Sequence, residues 1–207
     1  MPQLSPQFIE GAYYAMCQKH PTNSDVASIL AHAKTIKQAM AIIRKLPETA
    51  RFFDNFHGLS CNWIDHLLCV GEQPSQFQAL LLAQTGINRF VDVTSNTQEY
   101  FEVLPENVSY WQATIQNDVK NAPEDVERAA GIVLESIGKS ERVYLHCHSG
   151  MHRSAIIASV VIAVRKNIAY SEAIKLLKLK RPIAQPSYEL FARQDAALVV
   201  EKLSKKA

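Results

Sequence analysis

At 207 residues the chain has the length of one ordinary domain with room for an extension, and it can bury a sizeable core. Hydrophobic residues make up 47% and charged residues 20%, a globular balance that excludes long disorder, collagen-like sequence and a coiled-coil rod. The formal net charge of +2 is too mild to point to nucleic acid, no apolar run approaches the ~20 residues of a membrane span, and the opening MPQLSPQFIEGAYY lacks the basic and apolar regions of a signal peptide.

Residues 1–60 read as helical. A short helix is expected over Pro6–Gln18 and another over Glu48–Phe56. Between them Ser24 and Asp25 can cap a segment whose apolar positions, from Val26 and Ile29 to Ile42 and Ile43, recur at helical spacing until Pro47 stops it. With no charge run or Gly/Ser linker, this stretch is expected to pack as a helical extension on a domain spanning 61–207.

After His57-Gly58 the pattern changes. Trp63–Val70 reads as a strand ending at Gly71, Gln76–Gln84 as a helix, and Asn88–Val93 and Val108–Thr114 as strands. Pro123 opens a helix through Ile137. Val143–Leu145 is a short apolar strand, followed by a Gly-containing turn and an apolar helix from Arg153 to Arg165. Helices over Ser171–Lys180 and Ser187–Leu203 close the chain. Strands alternating with helices predict an α/β fold with a largely parallel sheet.

Residues 165–207 hold ten Lys/Arg against four Asp/Glu, which fits either an anionic partner or a plain solvated helix surface. The four cysteines, Cys17, Cys61, Cys69 and Cys147, form no CxxC pair and no disulfide framework, so reduced thiols in a cytoplasmic protein are expected. Cys147 has a different neighbourhood from the rest.

Residues 143–157 read VYLHCHSGMHRSAII. A strand delivers His146 and Cys147; His148, Ser149, Gly150, Met151 and His152 follow; Arg153 and Ser154 begin a helix. A turn from strand into helix can aim several backbone N–H groups inward at the positive end of the helix dipole, which makes an anion nest. Gly150 permits the backbone conformation such a turn needs. A thiol at the base of the nest is stabilised as thiolate, and the planar fork of Arg153 can hold two oxygens of a phosphate. A nucleophile then faces a bound phosphoryl group, the arrangement for ester hydrolysis through a thiophosphate. Chance occurrence of H-C-x5-R-[S/T] with the internal Gly is on the order of 1 in 10⁴ or less at this length.

On His146, Cys147, Arg153 and Ser154 the chain resembles the cysteine-dependent protein tyrosine phosphatases, and within them the small dual-specificity phosphatases. The resemblance covers roughly 60–200: WIDHLLCVGEQPS is similar to the first strand, LLAQTGINRFVDVTS to the next helix-strand unit and RPIAQPSYELF to the Arg-Pro helix start near the C-terminus. It implies a four-stranded, mostly parallel sheet flanked by helices and catalysis without metal or other cofactor. It also implies Cys147 as nucleophile, Arg153 as phosphate clamp and Ser154 as donor to the departing thiolate. His146 either tunes the thiol from beside it or is a core histidine. His148 and His152 depart from the commonest form; they either favour acidic substrates or pack the loop.

Leaving groups need a proton, and the same carboxylate must then activate water from a mobile loop. Asp118, in TIQNDVKNAPEDVERAA, lies 29 residues before Cys147, in agreement with the family's acid loop. Glu124 and Asp125 are rivals but fall in the first turn of a helix, where carboxylates complement the dipole, and Asp92 ends a strand. A phosphorylated protein or a small phosphate ester is the implied partner. Phosphoinositide hydrolysis, phosphate binding without turnover, a zinc site on the histidines and Cys147, and rhodanese-type sulfur transfer are the competing readings. Cys69 ends the first strand, which the resemblance implies neighbours the strand carrying Cys147, and it is a candidate partner in a protective disulfide.

Overall fold

The computed structural model describes residues 6, 9, 22–43, 59–96 and 104–206. The helices expected over Pro6–Gln18 and Glu48–Phe56 lie largely or wholly outside them. The chain divides into two compact units, one of residues 1–59, 74–81 and 100–103 and a larger one of 60–73, 82–99 and 104–207.

In the smaller unit α1 spans Asn23–His32 and α2 Ile36–Ile43. The cap of α1 is Thr22, whose hydroxyl accepts the Asp25 N–H while the Asp25 carboxylate accepts the Thr22 N–H, a reciprocal capping box. The expected single helix is interrupted because Ala33 turns extended and Thr35 begins a new one: its hydroxyl accepts the Gln38 N–H, and the Gln38 side chain accepts the Lys34 N–H. Local capping chemistry here overrides an unbroken apolar period. Val26, Ile29, Ala33, Ala39 and Ile43 are buried.

In the larger unit β1 spans Cys61–Trp63, β2 Leu68–Gly71, β3 Arg89–Asp92, β4 Ser109–Gln112 and β5 Val143–His146. Helix α3 spans Gln76–Gln84, α4 Pro123–Gly138, α5 Arg153–Lys166, α6 Tyr170–Lys180 and α7 Arg193–Ser204. The sheet order is β1-β2-β5-β3-β4, with β2, β5, β3 and β4 parallel and β1 antiparallel to β2. The expected strand over Trp63–Val70 is therefore a hairpin. Asp65 makes the turn, its Oδ1 accepting the N–H groups of Leu67 and Leu68 at 2.8 and 3.0 Å. At the C-terminus, residues 187–192 form a turn of their own, and the last helix starts at Arg193.

One sheet face carries Leu68, Val70, Val91, Val143 and Leu145 into a core shared with α4 to α7. Every residue of α5 from Ser154 to Val164 is buried, as an all-round apolar helix requires. In its middle the Ser159 hydroxyl is satisfied, donating to the Ala155 carbonyl at 2.8 Å. Gly71, His146 and Asp92 are in register at the carboxyl ends of β2, β5 and β3. Cys147 thus emerges from the middle of the sheet where chain connections diverge, the position at which open α/β sheets bind ligands.

Candidate active site

The segment 147–153 leaves β5 and enters α5 with no side chain capping the helix. The residue at the cap position, His152, instead donates from Nδ1 to the Gln185 carbonyl at 2.7 Å. The first N–H groups of α5 are left for an anion. Cys147 is almost fully buried, and the Ser154 hydroxyl lies 3.4 Å from its sulfur. Burial alone would raise the Cys147 thiol; the Ser154 hydroxyl, the N–H groups of Ser154 and Gly150 and the Arg153 charge outweigh it and hold the thiol below its ordinary value. Arg153, half-buried, donates from Nη1 to the Ile115 carbonyl at 3.5 Å.

Gly150 sits at φ +67°, a left-handed conformation, and a side chain there would also strike the Gly71 backbone and the Arg181 guanidinium. The three histidines of this segment face different partners. His146, fully buried, donates from Nδ1 to the Cys147 carbonyl at 3.4 Å, lies 3.9 Å from the Asp92 carboxylate and stacks on Tyr144. Burial pushes its imidazole below the ordinary range, against the opposing pull of Asp92 and the carbonyl. His148 is exposed and meets the Gln73 side chain at 3.4 Å; its carbonyl accepts the Gln73 N–H. Among the described residues no three His, Cys, Asp or Glu side chains gather as a metal-holding group. Ser149 and Met151 are half-buried, and the Met151 carbonyl accepts the Gln185 N–H at 2.8 Å.

Asp118 lies exposed in the segment between β4 and α4, where the Asn117 amide donates to its Oδ1 at 3.2 Å. The segment leads on from Ile115, the acceptor of the Arg153 bond. Asp92 is fully buried and occupied otherwise, taking the Thr94 N–H at 2.7 Å and the Tyr110 hydroxyl at 2.8 Å. Asp125 pairs with Arg128 in the first turn of α4, the turn that also holds Glu124. Cys69 and Cys61 lie on the two strands of the β1–β2 hairpin and shift each other's thiols, Cys69 upward and Cys61 downward; Cys61, Cys69 and Cys147 are all free thiols.

Two residues that motif spacing does not single out shape the site. Asn121, nearly fully buried, folds the Asp118 segment on itself: its Oδ1 accepts the Gln116 N–H at 2.7 Å, and its amide donates to the carbonyls of Gln116, Val119 and Leu190. Arg181, wholly buried just beyond α6, donates from Nε to the Gly150 carbonyl at 2.8 Å. Its other nitrogens reach Asn62 Oδ1 at 2.8 Å and the Ser60 carbonyl and hydroxyl at 3.1 and 3.2 Å. An Asn before a Pro-led helix and an Arg-Pro at a helix end gave the only hints.

Residues 68–194 match the model of the dual specificity phosphatase catalytic domain. A protein of Invertebrate iridescent virus 3 named as a tyrosine phosphatase, 067L, is 28% identical over 117 residues, covering 53% of this chain. The chain spans 48% of that relative's length. Among solved structures, human DUSP28 superposes with a TM-score of 0.59 at 14% identity, over 70% of this chain and 99% of that one. PTPMT1 in complex with PI(5)P superposes with a TM-score of 0.58 at 15% identity, over 69% and 96%. These likenesses establish the fold.

Proposed function

Since the chain belongs to the dual specificity phosphatase catalytic domain family, we propose that it hydrolyses phosphate monoesters of the phosphotyrosine, phosphoserine and phosphothreonine class. The observation that carries this is the seat of the Cys147 sulfur, held below its ordinary pKa at an uncapped helix start by N–H groups, the Ser154 hydroxyl and Arg153.

The thiolate attacks phosphorus in line with the ester oxygen, forming an S–P bond as the P–O bond to the leaving group breaks. Arg153 and the loop N–H groups take up the charge spreading over the three non-bridging oxygens. Asp118 gives its proton to the leaving oxygen. In the second half it takes a proton from water, whose oxygen attacks phosphorus and releases the thiolate. The Ser154 hydroxyl donates to the sulfur as it leaves.

A chelator-treated preparation assayed on para-nitrophenyl phosphate tests the proposal. Wild type is expected to turn over, and Cys147→Ser to be inactive while still binding oxyanions. Activity lost to chelator and restored by zinc would favour a metal centre. Binding by the wild type without turnover would make the chain a phosphate-recognition module. The PI(5)P bound to PTPMT1 is the reason to set inositol phosphates beside phosphopeptides in the substrate panel.

A further inference from the structure

Arg181 is the largest fully buried side chain among the described residues. Taking a guanidinium out of water is costly unless its charge and donors are met. Its donors are met by Gly150, Asn62 and Ser60, all neutral, and among the described residues no carboxylate stands within ion-pair distance. The titratable groups that face it are Cys61 on β1, Cys69 on β2, Tyr144 on β5 and Cys147. Its positive charge is therefore directed at the thiol end of the sheet.

The contact with Gly150 has a geometric consequence. No peptide bond among the described residues is cis, and in a planar trans peptide the C=O and the following N–H point in opposite directions. Drawing the Gly150 carbonyl onto Arg181 Nε turns the Met151 N–H away from Arg181. Meanwhile the Gly150 N–H is among the groups that hold the Cys147 thiol below its ordinary value. The left-handed φ of Gly150 is what lets successive amides take these directions.

We propose that Arg181 is a positioning residue of the phosphate-binding loop: by holding the Gly150 carbonyl it presents the Met151 N–H to the bound anion, and its uncancelled charge favours that anion and the thiolate. The proposal rests on reading the 147–153 loop as a phosphate site.

Two readouts that require no turnover test it: tungstate binding by isothermal titration, and the pH dependence of Cys147 alkylation by iodoacetamide. Arg181→Lys keeps the charge but loses the fork; it should weaken tungstate about tenfold or more while leaving the alkylation profile near that of wild type. Arg181→Met should weaken tungstate further and move alkylation to higher pH. Asn62→Ala frees one end of the guanidinium and should weaken tungstate about threefold; it decides the matter if the Arg181 variants do not fold. Folded Arg181 variants, or Asn62→Ala in their place, with wild-type tungstate affinity and alkylation profile would overturn the proposal. Wild type that neither binds tungstate nor cleaves aryl phosphate would instead overturn the reading of the site.

Discussion

The Arg153 guanidinium reaches the carbonyl of Ile115, Nη1 to O 3.5 Å, so the proposed phosphate clamp touches the segment that leads to Asp118. The bond is long, and a phosphate oxygen is a better acceptor for a guanidinium than a neutral carbonyl. Arg153→Lys keeps a charge but cannot hold two oxygens at once. It should lower kcat/KM on aryl phosphates by about 10²–10³-fold. Retention of most of the wild-type rate would remove Arg153 from the clamp.

Asp118→Asn should lower turnover by roughly 10²–10⁴-fold on alkyl phosphates, much less on esters with good leaving groups, and abolish the basic limb of the pH–rate profile. A profile that keeps its basic limb would transfer the acid's role to another carboxyl.

Removing the Asn121 side chain takes away the partner of the Gln116 N–H and C=O in the same segment and a buried bond to the Leu190 carbonyl. Asn121→Ala is expected to cost about 1–3 kcal/mol of stability. It should also reproduce part of the Asp118→Asn defect, with kcat falling more than KM rises. Urea unfolding and steady-state kinetics on one preparation separate the two effects. A stability loss without a kcat effect would show that the segment needs no fixed shape.

Ser154→Ala takes away one of the groups holding the Cys147 thiol down, against its burial. The alkylation profile of Cys147 should move to higher pH, and breakdown of the thiophosphate should slow about tenfold. Rapid mixing would then show a burst of phenolate release. Its absence, with an unmoved alkylation profile, would mean that the hydroxyl does not act on the sulfur.

His146 gives a stability signature. Burial lowers its folded-state pKa below the unfolded value of about 6.5, so the unfolded chain binds the proton first as the pH falls. Its contribution is fully present above about pH 6.5 and is lost as the pH falls through that value towards the lower folded-state pKa. Chemical denaturation at several pH values should show a decline that His146→Gln reduces. Parallel wild-type and variant curves would contradict a buried neutral imidazole.

What could be read from the sequence is what is local in the chain. The strand, loop and helix that carry Cys147, Arg153 and Ser154 are contiguous, so apolar runs and one glycine located them. The helices at Gln76, Pro123 and Arg153 begin where expected. The hairpin at Asp65 and the break at Thr35 are also local, but there a single side chain bonding to the backbone overrides hydrophobic periodicity. Partnerships across the chain left no pattern: Arg181 meets Gly150 from 31 residues away and Asn121 meets Leu190 from 69. Such pairs exist only once the sheet has brought their elements together, and neither residue type announces its partner.

Helix α5 is enclosed along its whole apolar length, and the loop that feeds it is tied down at Gly150, Met151 and His152. A receptor fastened at that many points has little shape to give up when a ligand arrives. Small rigid oxyanion mimics should therefore gain more from this centre than flexible inhibitors, which must lose their own disorder on entry.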